Sequence, residues 1–275
     1  MRTTQYLSVA AVLLLAAAPL GAVDWRLVWS DEFNGSGVPD ASKWAHEEGF
    51  LRNSEAQIYT KNRPENVRVE NGLLIIEARK EQFQNPFFVE GSKGDKERQK
   101  TAEFTSGSLT TEGKASWTRG RVEVRAKLPA GRVTWPAIWM LGANCEKVVW
   151  PKCGEIDIME HVGYDPGVVH ANIHTQSYNH VKKTNKGDKV VVDNPSGAFH
   201  VYAVEWSAER MEFFVDNQKY FTYINPKTGV KTWPFNRPFY LILNIAIGGS
   251  WGGQKGIDDS VFPQRMEVDY VRVYQ

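Results

Sequence analysis

The sequence predicts an all-β protein whose strands pair antiparallel into a sandwich. Apolar residues fall into short segments that either alternate with polar residues or run continuously for a few positions, as strands do. Glycine, proline and Asn-Gly pairs interrupt the chain at short intervals, as turns do. Beyond the amino-terminal segment, no long stretch has helical periodicity and no strand–helix alternation occurs, which argues against a parallel α/β sheet.

The predicted strands follow one another with turn residues between them. Asn71-Gly72 separates the first two and is typical of a hairpin, and Asp216-Asn217 separates a later pair. A continuous apolar run ends at Gly248-Gly249, and an alternating segment closes the chain. The segments that we interpret as strands include residues 67–70, 73–78, 121–127, 201–206, 212–215, 219–221, 240–246 and 266–274.

Residues 1–22 have the pattern of a secretory signal peptide. Met1-Arg2 is basic, residues 7–20 are almost wholly apolar, and small residues precede a cleavage point after Ala22. The apolar run is short for a membrane span, although a retained signal anchor is the alternative. The rest of the chain has no linker and no repeat. We therefore predict a signal peptide at 1–22 and one domain at 23–275, with an exposed loop at 82–100.

Charge and composition exclude some classes of function. The 275 residues contain 33 Lys and Arg against 32 Asp and Glu, so the chain lacks the basic excess typical of nucleic-acid binding. Ten Trp and an aromatic content of 12% suit a protein that stacks sugar rings on indole faces. Export would permit a disulfide between Cys145 and Cys153, but the sequence leaves that pairing open.

Three carboxylates lie within six residues in the segment 154–161, whose sequence is GEIDIMEH. On a strand, Glu155 and Asp157 share one face, and the isoleucines between them face a core. Glu160 has the wrong parity and would be buried as a lone charge in a regular strand. One extra residue in a β-bulge near 158–159 returns Glu160 to the acidic face, and bulges are frequent beside active sites.

Three acids on one face repel one another, and repulsion with partial burial raises the pKa of at least one of them. One carboxyl can then be protonated near neutral pH while another is ionised, which retaining glycoside hydrolysis requires. We predict that Asp157 shares a proton and that its charge keeps Glu160 protonated. A solvated acidic face and a Ca²⁺ site are the alternatives. His161 is predicted to pack or to form hydrogen bonds rather than to act in catalysis.

Aromatic segments on both sides of the acids favour the enzymatic interpretation. Residues 135–141 place two Trp just before the acidic segment, and residues 243–251 end in a glycine turn followed by Trp251. Either cluster alone would suit a core. Together with the three acids, they predict a sugar-binding cleft.

The segment 155–160 resembles the bulged E-x-D-x-x-E signature of family 16 glycoside hydrolases of the laminarinase type. The resemblance extends over nearly all of the chain after residue 22. Five segments carry the resemblance. Residues 30–35 are similar to the family's opening strand and residues 52–59 to its early cleft loop. Residues 135–141 are similar to its Trp-rich strand, residues 243–251 to its second cleft strand and residues 269–274 to its closing strand.

The resemblance implies a curved β-jelly-roll sandwich, with the substrate cleft on its concave face, and endo-hydrolysis of β-1,3-glucan with retention. It implies that Glu155 is the nucleophile, that Asp157 assists it and that Glu160 is the general acid/base. It also implies that catalysis needs no cofactor and that Ca²⁺ is bound at a structural site. Residues at cleft positions of the family are Asn53, Arg79, Trp135, Trp139, His174, Asn244 and Trp251, and those at its Ca²⁺ positions are Glu32, Gly72 and Asp269.

Two alternatives stay open at this point. The substrate of such an enzyme can also be a mixed-linkage β-glucan or a galactan, although the extra residue in the acid motif favours β-1,3-glucan within the family. The chain can also be a non-catalytic β-glucan-binding protein, against which the three acids argue. We expect a monomer, secreted to the extracellular space or periplasm, that binds β-glucan but neither nucleic acid nor membranes.

Overall fold

The structure is a computed structural model that describes residues 24–275. The predicted signal peptide therefore lies outside the described residues. Between residues 24 and 275, no helix has the length and apolar character needed to cross a membrane. Regular structure in this range is almost entirely β-strand.

Two sheets form a sandwich. In chain order the strands are β1 (Leu27–Asp31), β2 (Ala45–His46), β3 (Gln57–Tyr59), β4 (Val67–Glu70), β5 (Leu73–Gln84), β6 (Thr101–Ser106), β7 (Ser108–Thr110), β8 (Gly120–Lys127), β9 (Thr134–Gly142), β10 (Glu155–His161), β11 (Val168–His174), β12 (Lys186–Val191), β13 (His200–Trp206), β14 (Arg210–Val215), β15 (Gln218–Ile224), β16 (Phe239–Ile247) and β17 (Gln264–Tyr274). One short helix, α1 (Gly249–Gly252), follows β16.

The larger sheet has ten strands in the order β15-β14-β13-β8-β17-β5-β6-β3, with β1 beside β17 and β4 beside β5. The smaller sheet has seven strands in the order β12-β11-β10-β9-β16-β7-β2. Among the described strands, all pairs are antiparallel except β3 with β6. The predicted antiparallel sandwich is confirmed, with one parallel pair at a sheet edge.

The main core fills the space between the sheets. β8 shows how the sequence directs side chains into it: Val122, Val124 and Ala126 are buried, while Glu123 and Arg125 between them are half-buried. Because side chains alternate along a strand, this pattern gives one core face and one outer face. It is the alternation that the sequence of residues 121–127 predicts.

β16 is buried on both faces, which explains its continuous apolar sequence. One face joins the main core. On the other face, Tyr240 and Ile242 pack with Ala137 and Trp139 of β9 in a separate small cluster. This cluster lies on the outer face of the seven-stranded sheet, where it forms the floor of the cleft described below.

The predicted strands agree with the observed ones to within a few residues. β5 continues to Gln84, into the predicted loop at 82–100, because Phe83 and Gln84 still pair with β6. Sequence analysis missed short strands such as β2, which has two residues, and β12, whose sequence KGDKVV is mostly polar. β12 is an exposed edge strand, and edge strands are often charged because this discourages pairing with other chains.

His161, at the end of β10, is buried with both ring nitrogens unpartnered. Its side chain is 1% exposed, and neither nitrogen has a hydrogen-bond partner among the described residues. Burial, together with the smaller effect of the nearby His170 and against that of Asp165, lowers the pKa of His161 from 6.5 to about 4. Of the two roles predicted for His161, packing is therefore the one that the structure supports.

We expect His161→Leu to reduce the acid sensitivity of folding. The unfolded chain protonates His161 below pH 6.5, whereas the folded chain resists protonation down to about pH 4. The free energy of unfolding is therefore unaffected by His161 above pH 6.5, and it decreases as the pH falls toward 4, because the unfolded chain takes up a proton that the folded chain does not. Between pH 7 and pH 4.5, the wild type should lose about 2.5 kcal/mol more unfolding free energy than the variant. Urea unfolding at both pH values measures this; equal losses would contradict the assignment.

Candidate active site

The three acids lie on β10, between β9 and β11 near the middle of the seven-stranded sheet. Against β11, Asp157 pairs with Asn172 but Glu160 pairs with His170, so β10 contains one extra residue there. The register against β9 shifts in the same place. This β-bulge occurs where the parity of the sequence predicts it, and it brings Glu160 into the same cleft as Glu155 and Asp157.

The acids open into a cleft of about 850 Å³ on the outer face of this sheet. The cleft crosses the strands, from residues beside β2 at one edge of the sheet to residues beside β12 at the other. Its length suits a polymer that extends past the acids in both directions. Residues that line it include Glu47, Arg52, Asn53, Trp135, Trp139, Trp150, Glu155, Asp157, Glu160, His170, Asn172, His174, His180, Asn185, Asn244 and Trp251.

Glu155 and Asp157 form a close pair of acids. The indole N–H of Trp150 donates to Oε2 of Glu155 at 2.6 Å. Nε2 of His174 lies 3.2 Å from Oδ2 of Asp157 and 3.7 Å from Oε1 of Glu155. Asp157 is 2% exposed, and burial, helped by the charges of Glu155 and Glu160, raises its pKa well above the usual range. This raised pKa favours the neutral form of Asp157, whose O–H can be offered to Glu155.

Glu160 is held by two donors at the other end of the acidic face. Nε1 of Trp135 donates to Oε1, and Nδ2 of Asn172 donates to Oε2, each at 3.1 Å. Burial raises the pKa of Glu160, His174 lowers it, and the charge of Glu155 raises it. The sequence predicts that the charge of Asp157 keeps Glu160 protonated. In the structure, burial is the largest cause of the raised pKa of Glu160, and the charge of Glu155 adds to it.

The tryptophans of the cleft differ in how much of the indole ring is exposed to a ligand. Trp139 is 8% exposed, its Nε1 donates to Oδ1 of Asn244 at 2.7 Å, and the Arg52 guanidinium lies over its ring at 4.9 Å. Trp135 and Trp251 are half-buried, and their rings meet edge to face at 5.5 Å. Trp139 therefore belongs mainly to the cleft floor, whereas Trp135 and Trp251 expose ring surface to a ligand.

This combination of fold and site can be compared with known families. The model of glycosyl hydrolases family 16 matches residues 54–272, a range that includes all three acids. The chain belongs to glycosyl hydrolase family 16. The resemblance found in the sequence is confirmed, and so is the prediction that the protein is a glycoside hydrolase.

Individual relatives match over the whole sandwich. A β-glucanase from Rhodothermus marinus is 46% identical over 290 residues, which cover 100% of this chain and 95% of the relative. The crystallographic structure of the laminarinase from Rhodothermus marinus is 48% identical with a TM-score of 0.82, over 91% of this chain and 97% of that one. A family 16 structure described as a non-specific endo-β-1,3(4)-glucanase is 49% identical with a TM-score of 0.82, over 92% of each chain.

Most residues predicted to bind substrate reach the cleft. They are Asn53, Trp135, Trp139, His174, Asn244 and Trp251. Arg79 does not. It lies on β5 in the other sheet, where its guanidinium forms an ion pair with Glu77 and lies 3.8 Å from Glu81. Position along the sequence cannot distinguish a strand of one sheet from a strand of the other, so Arg79 is withdrawn as a cleft residue.

Several cleft residues were missed by sequence analysis. Trp150, His170, Asn172 and His180 all line the cleft. Asn172 and His170 could have been found from pairing, since they occupy β11 opposite Asp157 and Glu160. Trp150 lies in a loop, where no periodicity marks it. Cys145 and Cys153, whose pairing the sequence left open, form a disulfide that closes this loop.

Trp251→Ala is expected to weaken substrate binding and leave the fold intact. The half-buried indole packs edge to face against Trp135 and against His170 at 5.0 Å, so it can stack on a sugar ring. Losing that contact should raise KM about fivefold, equivalent to ~1 kcal/mol. The control is Trp29→Ala, on β1 in the other sheet, which should lower the melting temperature without changing KM. A large fall in melting temperature for Trp251→Ala at unchanged KM would make Trp251 a packing residue.

Within residues 24–275, two groups of residues offer ligand atoms that suit a metal ion. Ligand atoms of Glu155, Asp157 and His174 lie within 4.8 Å of one another. Because burial raises the pKa of Asp157, its neutral form is favoured, and a neutral carboxyl is a weaker ligand for a hard cation than a carboxylate. The second group is the predicted Ca²⁺ set, Glu32, Gly72 and Asp269.

Strand register brings the predicted Ca²⁺ set together. β17 pairs with β1 up to Asp31↔Val271 and with β5 up to Val268↔Leu74. Glu32, Gly72 and Asp269 are each one or two positions beyond these pairs, beside the middle of β17, where the end of β1 meets the start of β5. Both carboxylates bind arginine: Glu32 accepts from Arg272 at 2.8 and 3.0 Å, and Asp269 accepts from Arg125 at 2.5 Å. Two carboxylates and a carbonyl fit a hard cation, which would have to displace these guanidinium groups.

Proposed function

We propose that the protein is an endo-acting β-1,3-glucanase that cleaves with retention of anomeric configuration. The observation that supports this most strongly is the bulged strand β10, which presents Glu155, Asp157 and Glu160 to one cleft. A cleft that crosses the whole sheet admits internal segments of a polysaccharide, whereas a closed pocket would admit only a chain end. The relatives named as a laminarinase and as an endo-β-1,3(4)-glucanase support the same substrate class.

In the first step, a carboxylate oxygen of Glu155 attacks the anomeric carbon of the glucose unit at the cleavage point. The bond from that carbon to the glycosidic oxygen breaks, and Glu160 gives its proton to the departing oxygen. The raised pKa of Glu160 supports this role, because the acid has to hold a proton before the reaction. The products are a released sugar chain and a glycosyl ester of Glu155.

In the second step, water replaces the released chain. Glu160, now ionised, takes a proton from the water while the water oxygen attacks the anomeric carbon, and the ester bond to Glu155 breaks. Two inversions at the same carbon restore the original β configuration. The raised pKa of Asp157 favours a carboxyl O–H beside Glu155, and a hydrogen bond from that O–H stabilises the Glu155 carboxylate as it forms again on departure.

The experiment that tests the function compares four polysaccharides in a reducing-sugar assay. Laminarin should be cut internally, with a rapid fall in mean chain length, and lichenan should be cut more slowly. Agarose and carrageenan represent the galactan alternative and should be left intact. Hydrolysis of a galactan with laminarin untouched would overturn the substrate assignment, and binding of laminarin with no hydrolysis would favour the non-catalytic alternative.

We propose that the protein acts outside the cell or in the periplasm, as a monomer. The support is the pattern of residues 1–22 together with the substrate, a polymer too large to enter cells. Its partner is then the polysaccharide itself, and the near balance of 33 basic and 32 acidic residues gives no attraction to nucleic acid or to an anionic membrane.

We propose further that Glu32, Gly72 and Asp269 bind a structural Ca²⁺ that ties the first strand to the last. Ca²⁺ at about 100 times its dissociation constant should stabilise the fold by ~2.7 kcal/mol and raise the melting temperature by about 5 °C over EDTA. Mg²⁺ is the matched control, and Asp269→Asn should abolish the effect. If Ca²⁺ leaves the melting temperature of the wild type unchanged, no such site exists.

A further inference from the structure

The loop from Cys145 to Cys153, here called the bridged loop, forms the wall of the cleft beside Glu155. It leaves the end of β9 and returns to the start of β10. Its backbone hydrogen bonds are local: Cys145 N–H donates to the Gly142 carbonyl, and Lys152 N–H donates to the Val149 carbonyl. Among the described residues, no backbone hydrogen bond joins residues 146–152 to another part of the molecule. The pairing of β9 with β10 closes the loop at its base, where Gly142 N–H donates to the Gly154 carbonyl at 3.3 Å, and the disulfide is the covalent cross-link within the loop.

Trp150 is the residue of the bridged loop that reaches the catalytic acids. Its indole N–H donates to Oε2 of Glu155 at 2.6 Å, the one side-chain hydrogen bond found for this loop within residues 24–275. Its ring packs against His180 at 5.0 Å and His174 at 6.0 Å. Each contact aligns the indole plane, so the N–H keeps a fixed direction toward the carboxylate.

We propose that the Cys145–Cys153 bridge is a positioning device for the nucleophile, and that it acts through Trp150. This inference rests on the proposed function, since it assigns the nucleophile to Glu155. The indole N–H fixes the plane of the Glu155 carboxylate, and because Oε2 is bound by the indole, Oε1 is the oxygen that attacks. A misplacement of about 1 Å at a reacting atom can cost as much as a hundredfold in rate, so a loop that holds this donor affects the chemical step directly.

The other side chains of the bridged loop do little to fix the position of Trp150, because most of them are exposed. Glu146, Lys147, Val149 and Lys152 are exposed, and Val149 is 71% exposed. Without the bridge, residues 146–152 would be held by the strand pairing at the base of the loop and by the contacts of Trp150, and a segment with so few contacts would sample more conformations. The rings of His174 and His180 alone would then have to keep the indole over Glu155.

A double-mutant cycle tests the proposal. We would measure kcat and KM on laminarin for the wild type, Trp150→Phe, the double variant Cys145→Ser/Cys153→Ser, and the triple variant. Trp150→Phe removes the N–H but keeps an aromatic ring, and kcat should fall about tenfold or more, as expected for a lost hydrogen bond to a charged group. The bridge variant should lose several-fold in kcat at nearly constant KM. In the Trp150→Phe background, removal of the bridge should change kcat less than twofold, because the two act through one contact.

Val149→Ala is the matched control within the loop and should leave kcat unchanged. If the Cys variant does not fold, reduction of the folded wild type and of Trp150→Phe with a phosphine gives the same comparison. An unchanged kcat after loss of the bridge would overturn the proposal. So would an equal loss in both Trp150 backgrounds, since the bridge would then act independently of Trp150. A wild type that is inactive on laminarin would instead overturn the proposed function.

Discussion

Glu155→Gln is expected to lose at least about 1000-fold in kcat on laminarin, which corresponds to more than ~4 kcal/mol of transition-state stabilisation. The amide has nearly the same shape as the carboxylate and can still accept a hydrogen bond from Trp150. It cannot, however, form the glycosyl ester, so no alternative route through the covalent intermediate remains. Initial rates of reducing-sugar release measure the loss.

The control for this substitution is Glu103→Gln, which removes an exposed acid on β6 in the other sheet. Activity and melting temperature should stay at wild-type values. Glu155→Gln should also keep its melting temperature, because the side chain is half-buried and the change is isosteric. If Glu155→Gln retained more than a tenth of the activity, a residue other than Glu155 would be the nucleophile.

Glu160→Gln is expected to lose about 100- to 10,000-fold on laminarin but much less on a glycoside whose leaving group needs no proton. The difference arises because Glu160 acts on the departing oxygen, and a dinitrophenolate departs without protonation. Kinetics on laminarin and on a dinitrophenyl β-laminaribioside compare the two cases. Azide should increase turnover of the activated substrate, because azide attacks the ester without a general base, and the product should be a β-glycosyl azide.

The comparison with Glu155→Gln makes this result specific. That variant should be inactive on laminarin and should yield no β-glycosyl azide, because the β-azide arises only by attack of azide on the ester, which this variant cannot form. If Glu160→Gln were impaired equally on laminarin and on the activated glycoside, Glu160 would not be the general acid. The hydrogen bonds that Glu160 receives from Trp135 and Asn172 would then be structural.

Local sequence patterns predict the parts of this fold that depend on one strand at a time. The alternation in residues 121–127 predicts the inner and outer faces of β8, and the parity of Glu160 against Glu155 predicts the bulge in β10. Both follow from the two-residue period of a strand, which the sequence displays directly. The two-residue strand β2 depends on β7, a neighbour distant in sequence, and β12 is mostly polar, so the residues of these two strands give no signal.

The site residues likewise divide into those that local sequence predicts and those that depend on the folded structure. Glu155, Asp157 and Glu160 are close in sequence, so their chemistry is visible as a motif. Trp150 reaches the site from a loop whose conformation depends on a disulfide, and Arg79 lies on a sheet that local sequence cannot identify.

The sequence also cannot predict which of the three acids holds a proton. Repulsion between neighbouring acids can be foreseen, but the depth of each carboxyl cannot. Burial, which depends on the packed sandwich, is the larger influence on the pKa of both Asp157 and Glu160. The sequence predicts that repulsion and partial burial raise the pKa of at least one acid, and the structure adds that burial is the larger of the two causes.

In the proposed mechanism, Glu155 forms a covalent ester, and Glu160 serves first as acid and then as base. The most direct test is the configuration of the sugar released first, followed by ¹H NMR during laminarin hydrolysis, before mutarotation equilibrates the anomers. Retention predicts that the β-anomer appears first and that the α-anomer grows in later. An α-anomer as the first product would contradict the double displacement and the nucleophilic role of Glu155.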